Sequence, residues 1–93
     1  MFKTNDYFDG RVKSIAFEGT DKAATVGVMA PGDYTFNTAE KEKMTVVSGV
    51  MRIILPGEST QRVISAGDSF EVAADSAFEV SVESDCAYLC EYG

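Results

Sequence analysis

Apolar and polar residues alternate in short runs along this chain. Ala24, Val26 and Val28 share one parity, and Tyr34, Phe36 and Thr38 form the next run. Met44, Val46 and Ser48 follow, then Met51, Ile53 and Leu55, then Phe70 and Val72, then Phe78, Val80 and Val82. The last run puts Cys86, Tyr88, Cys90 and Tyr92 on one side. A period of two over a few residues is the mark of a half-buried strand. Turn residues stand between the runs: Glu18-Gly19-Thr20-Asp21, Pro31-Gly32, Ser48-Gly49, Pro56-Gly57, Ala66-Gly67-Asp68, Ala74-Asp75-Ser76 and Ser84-Asp85. Turns recurring about every ten residues between alternating segments predict an all-β sandwich or barrel. Both Pro-Gly pairs fit type II turns, with Pro setting φ and Gly supplying a positive φ. Thr38 to Lys43 is charged and hardly longer than one helical turn, too short to nucleate a helix, so it is predicted to be a loop. With no linker, repeat or low-complexity stretch, residues 1–93 are expected to form one domain.

Charge narrows the partners. The net charge is −7 with only 8 Lys and Arg. A nucleic-acid binder needs a basic face that displaces counterions from phosphates, and this composition excludes one. An anionic substrate needs a local basic cluster against the overall field. No long apolar run predicts a membrane segment, and the polar start Met1–Asp6 lacks the apolar core of a signal peptide, so a cytoplasmic location is expected. Cys86 and Cys90 fall on one face of a strand about 13 Å apart. A disulfide needs less than about 7 Å, so both are expected to be free thiols and small core residues.

Two segments place this β-domain more closely. In Glu42-Lys43-Met44-Thr45-Val46-Val47-Ser48-Gly49 a Glu is followed by six residues and a Gly, which resembles the end of the first cupin motif. Gly67-Asp68-Ser69-Phe70-Glu71-Val72 resembles the start of the second. The expected fold is an all-β, cupin-like barrel of the jelly-roll type. The metal ligands of cupins are missing. The His-x-His would fall near Phe36 and Thr38, or Thr35 and Asn37, and the second-motif His at Phe78; only Glu42 is kept, and the chain has no His at all. One carboxylate without imidazoles does not make a transition-metal site, and His-centred acid–base chemistry is excluded.

The resemblance then becomes more specific. Tyr7-Phe8-x-Gly10-x-Val12-Lys13-Ser14-Ile15-x-Phe17, Val26-Gly27-Val28-Met29, Gly32-x-Tyr34-Thr35-Phe36-x-Thr38-Ala39-Glu40, the Glu42–Gly49 block and Tyr88-Leu89-Cys90-x-Tyr92 run over nearly the whole chain. Together they resemble the pyrimidine/purine nucleoside phosphorylase family of small cupin-like proteins. Ala73 departs from a common Pro, and the turns at Glu18–Lys22 and Gly57–Gln61 look variable. The resemblance implies phosphorolysis of uridine, cytidine, thymidine, adenosine, guanosine, inosine and xanthosine to a free base and the pentose 1-phosphate (ribose 1-phosphate from a ribonucleoside). It also implies inorganic phosphate as co-substrate, no metal or other cofactor, and a homodimer.

That chemistry asks for groups that hold phosphate, an acceptor for the ribose hydroxyls, a flat apolar surface for the base and a proton for the leaving base. Lys13 is the candidate phosphate cation, with Arg11 two residues away on the same predicted face. Thr38, Thr45 and Ser48 are candidate hydroxyl donors. Glu42 and Glu40 are candidates for the ribose hydroxyls, with Glu42 at the retained cupin position. Tyr34 and Phe36 are candidates for stacking on the base, which ignores base identity because every base has a π-face. Tyr88 and Tyr92 carry the same possibility. The proton donor stays open between Glu, Tyr and water. Two other readings compete: a small-ligand-binding cupin without catalysis, and a dimerisation module, for which no pocket with converging polar groups is expected.

Overall fold

The alternation becomes ten strands in a computed structural model that covers all 93 residues. They are β1 (Thr4–Tyr7), β2 (Val12–Glu18), β3 (Ala23–Met29), β4 (Gly32–Asn37), β5 (Glu42–Ser48), β6 (Val50–Ile54), β7 (Arg62–Ser65), β8 (Ser69–Val72), β9 (Ala77–Val82) and β10 (Cys86–Tyr92). Six pair antiparallel in the order β1-β2-β3-β10-β5-β8, and four in the order β4-β9-β6-β7. The two sheets face one another over one apolar core, which includes Met29, Met44, Val46 and Cys86 from the larger sheet and Met51, Ile53, Phe78 and Val80 from the smaller. This is the expected single all-β domain. Thr38 to Lys41 form a loop between β4 and β5, while Glu42 and Lys43, expected in the same loop, open β5.

Two strands carry no usable period. In β7 only Ile64 reaches the core, and β1 is polar except for Tyr7. Both lie at sheet edges, where one inward residue or none is enough. β1 pairs with β2 of the same chain, Thr4 opposite Ile15 and Tyr7 opposite Val12.

In β3 the alternation selects the other face. Thr25, Gly27 and Met29 point inward, while Val26 and Val28 are 44% and 51% exposed. In β5 a register shift separates Tyr88, opposite Val46, from Ala87, opposite Ser48. The extra residue is Val47, so Ser48 leaves the face that Met44 and Val46 share. The Pro31-Gly32 pair also departs from expectation: Gly32 has φ 154° and opens β4, whereas Gly57, after Pro56, has φ 75° and fits the type II position. A β-carbon at Gly32 would meet the Arg11 guanidinium, so this glycine serves a close approach.

Candidate active site

A cavity of about 330 Å³ opens between the sheets, where β4 ends, β5 begins and β10 ends. This lies within the range of small-molecule sites. Phe36 and Phe78 come from the smaller sheet; Ser14, Thr25, Glu42, Met44, Tyr88, Cys90 and Tyr92 come from the larger; Tyr7 and Phe8 come from the β1–β2 hairpin; Thr35 and Asn37 stand on β4. Polar groups thus converge on a concavity, against the dimerisation-module reading.

The larger sheet builds a polar wall because β10 lies between β3 and β5 and all three turn inward together. Tyr88 stands opposite Gly27, Cys90 opposite Thr25 and Met44, and Tyr92 opposite Glu42. Gly27 is the neighbour that leaves room: a β-carbon there would fall within 2.7 Å of the Tyr88 ring and hydroxyl. The Tyr92 and Thr25 hydroxyls are 3.1 Å apart. Asn5 donates from Nδ2 to Ser14 Oγ at 3.3 Å. The end of β10 is pinned by the Gly93 N–H donating to the Lys41 carbonyl and by Lys22 Nζ donating to the Gly93 carbonyl.

Glu42 is the one carboxylate among the thirteen lining residues, and none of them is Lys or Arg. Burial pushes its pKa above the ordinary carboxylate value of 4.5; the Cys90 thiol, donating to Oε1 at 3.3 Å, opposes that, and nearby Glu40 adds to it. Burial pushes the Cys90 thiol up to about 12, with the Glu42 charge adding to it. Burial likewise raises Tyr88 and Tyr92 well above an ordinary phenol. These three side chains therefore stay protonated and neutral at physiological pH.

The facing wall is aromatic. Phe36 and Phe78 stack with centroids 5.7 Å apart and planes 27° apart. Phe78 continues edge-on into Phe70 at 5.9 Å, and so into the core. No three Cys, Asp or Glu side chains converge anywhere in the fold, so the donor set does not fit a metal centre.

Of the residues singled out from sequence, the fold brings Glu42, Phe36, Tyr88 and Tyr92 together in this cavity. Glu40 sits exposed on the loop before β5. Tyr34 is buried, with its hydroxyl donating to the Ala30 carbonyl and Arg11 over its ring at 5.2 Å. Arg11 also donates to the Pro31 carbonyl, while Lys13 extends from the outer face of β2 to Asp6 at 3.6 Å. The two cations do not share a face, because Arg11 precedes β2 and leaves the turn toward β4. Thr38 is a buried brace: its Oγ lies 2.7 Å from the Ala73 carbonyl and accepts the Ser76 N–H at 3.0 Å. Thr45 pairs with Ser69 at 2.8 Å on the outer face. Ser48 is exposed beyond the β5 shift.

Sequence reasoning did not single out Ser14, Thr25, Asn37 or Phe8 as site residues, and it placed Cys90 in the core alone. Cys90 belongs to both places. The signal that could have found Thr25 is the cross-strand pairing of β3 with β10, which a single sequence does not display.

Comparisons with known proteins agree with this architecture. A family profile described as pyrimidine/purine nucleoside phosphorylase matches residues 2–92. A Pseudomonas putida (strain W619) protein of that name is 62% identical over 92 residues, 99% of this chain and 98% of its own length. One from Alcanivorax borkumensis is 55% identical over 93 residues, covering all of this chain and 99% of the relative. Among solved structures, a Vibrio parahaemolyticus protein of unknown function superposes with TM-score 0.95 at 45% identity, over 100% of this chain and 99% of that one. An RmlC-like cupin from Shewanella frigidimarina reaches TM-score 0.77 at 18% identity, over 98% and 82% respectively, and supports the fold alone.

Proposed function

The chain belongs to the pyrimidine/purine nucleoside phosphorylase family, and from that membership we infer that it carries out phosphorolysis of nucleosides in the cavity between its sheets. The C1′–N bond of the nucleoside breaks, a C1′–O bond to phosphate forms, and the base leaves with a proton. The observation that carries the reading is the single carboxylate, Glu42, standing among hydroxyl donors on one wall of a cavity whose other wall is aromatic.

The roles follow from that division. Glu42, when ionised, accepts hydrogen bonds from the ribose hydroxyls, and its charge faces the positive charge that develops at C1′. Phosphate meets no cation among the lining residues, so neutral donors hold it: the hydroxyls of Ser14, Thr25, Tyr88 and Tyr92. Raised pKa values suit that task, because a phenol that keeps its proton remains a donor beside an anion. The base lies against the aromatic wall at Phe36, where contact with a π-face serves purines and pyrimidines alike.

The enzyme acts as a homodimer in this reading. Ile15, Val26, Val28 and Val47 form an exposed apolar band on the outer face of the larger sheet. A 93-residue chain has a modest core of its own, and covering that band adds to it. Val28→Asp is expected to halve the mass seen by analytical ultracentrifugation; an unchanged dimer moves the interface elsewhere.

The test of the function uses purified protein with uridine or inosine, with and without phosphate, and free base followed by chromatography. Base release that requires phosphate and survives a chelator supports the reading. Absence of base release from either nucleoside, in protein that is folded, overturns it and favours the ligand-binding cupin.

A further inference from the structure

We propose that Phe8 contacts the nucleobase from the rim of the cavity and so helps set nucleoside affinity, an inference that rests on the phosphorolysis reading above. Phe8 sits at the tip of the β1–β2 hairpin, where Gly10 N–H donates to the Tyr7 carbonyl and Arg11 N–H to the Phe8 carbonyl. The two central residues, Phe8 and Asp9, have φ 53° and 57°. Positive φ at both central residues of a turn favours Asn, Asp and Gly. A Phe in that region is a rare and strained choice.

Core packing explains the choice only in part, through contact with the buried Tyr34. Phe8 is 40% exposed and lies outside the buried cluster. Its ring instead meets Tyr34 at 5.0 Å and the Phe36 ring edge-on at 5.5 Å, and it lines the cavity. The other phenylalanine rings are committed differently: Phe78 is packed into Phe70, and Phe36 is stacked on Phe78. Phe8 is the phenylalanine on the lining that no strand holds. A flat, uncharged ring there offers the same surface to a pyrimidine and a purine. It covers more of the larger purine.

The experiment compares wild type with Phe8→Asn, Phe8→Leu and Phe8→Tyr. Steady-state phosphorolysis of uridine and inosine, melting temperature, and calorimetric binding of free uracil and hypoxanthine are measured for each. Phe8→Asn places a turn-compatible residue at the tip, so its melting temperature is expected to hold or rise. Its KM for both nucleosides is expected to rise about 5- to 150-fold, the worth of stacking one base. The KM for phosphate stays unchanged. Phe8→Leu keeps apolar bulk without the π-face and is expected to behave likewise, while Phe8→Tyr retains wild-type KM. A wild-type nucleoside KM in Phe8→Leu or Phe8→Asn overturns the proposal, whatever the melting temperature does. If wild type itself releases no base, the phosphorolysis reading fails, and the free-base titrations decide the contact: equal affinity in wild type and Phe8→Leu overturns it.

Discussion

The two walls of the cavity are built by the same alternation, yet they hold opposite chemistry. On the larger sheet, Thr25, Glu42, Tyr88, Cys90 and Tyr92 turn hydroxyls, a thiol and a carboxylate inward. On the smaller sheet, Phe36 and Phe78 present stacked rings. Burial acts on the first wall by raising the pKa of Glu42, Tyr88, Cys90 and Tyr92. It acts on the second only through packing. A nucleoside is itself divided this way, a polar sugar joined to a flat base, and in the proposed reaction the contrast orients it: ribose and phosphate toward β10, base toward β4 and β9.

The hardest blow to that contrast is Glu42→Gln. Removing the only carboxylate on the lining is expected to lower kcat/KM about a hundredfold, within the worth of a charge-assisted hydrogen bond. The melting temperature holds or rises, because a half-buried charge is removed along with its desolvation cost. Turnover at the wild-type level removes Glu42 from the reaction.

Next in size is the pH dependence. The ionised form of Glu42 is the working one, so kcat/KM falls on acidification, about tenfold per pH unit below the Glu42 pKa. Because burial raises that pKa, the break lies above 4.5. Stability moves the opposite way. The folded state holds the Glu42 proton more tightly than the unfolded state, so this group's contribution to stability falls as pH rises through the same window. A profile from pH 4 to 8 checks both, and an acid limb that persists in Glu42→Gln assigns the titration to another group.

Phe36→Leu probes the aromatic wall and is expected to raise nucleoside KM about fivefold with kcat little changed, at the low end of a stacking contact. A loss confined to kcat puts Phe36 beside the reacting atoms instead. The smallest effect is that of Lys13→Ala. Lys13 faces Asp6 on the outer surface, so the KM for phosphate is expected to stay within about twofold, as for an exposed ion pair. A clear rise would bring a cation back to the phosphate.

Much of the fold is readable in the chain. Period-two runs and turn residues mark most of the strands, and the inward set Cys86, Tyr88, Cys90 and Tyr92 is visible as such. The failures are physical. β1 and β7 are edge strands with too few inward residues to leave a period. In β3 the valines signal an apolar face, yet that face looks outward, where burial depends on what else covers it. In β5 one inserted residue reverses the parity of Ser48. The same limits govern the site. Glu42 is readable because it stands in a recognisable spacing, and Phe36 and Tyr88 because they alternate with it. Thr25 and Ser14 are not, since only the pairing of β3 with β2 and β10 carries them to the cavity.

By itself, then, the sequence determined an all-β domain without histidine, two free thiols and a resemblance to the family it belongs to, because composition and local spacing act through neighbours along the chain. Tertiary structure alone decided that Cys90 donates to Glu42, that Lys13 and Arg11 leave the cavity without a cation, and that Phe8 stands at its rim. Those relations join residues up to 48 positions apart, and strand register, not sequence distance, sets them.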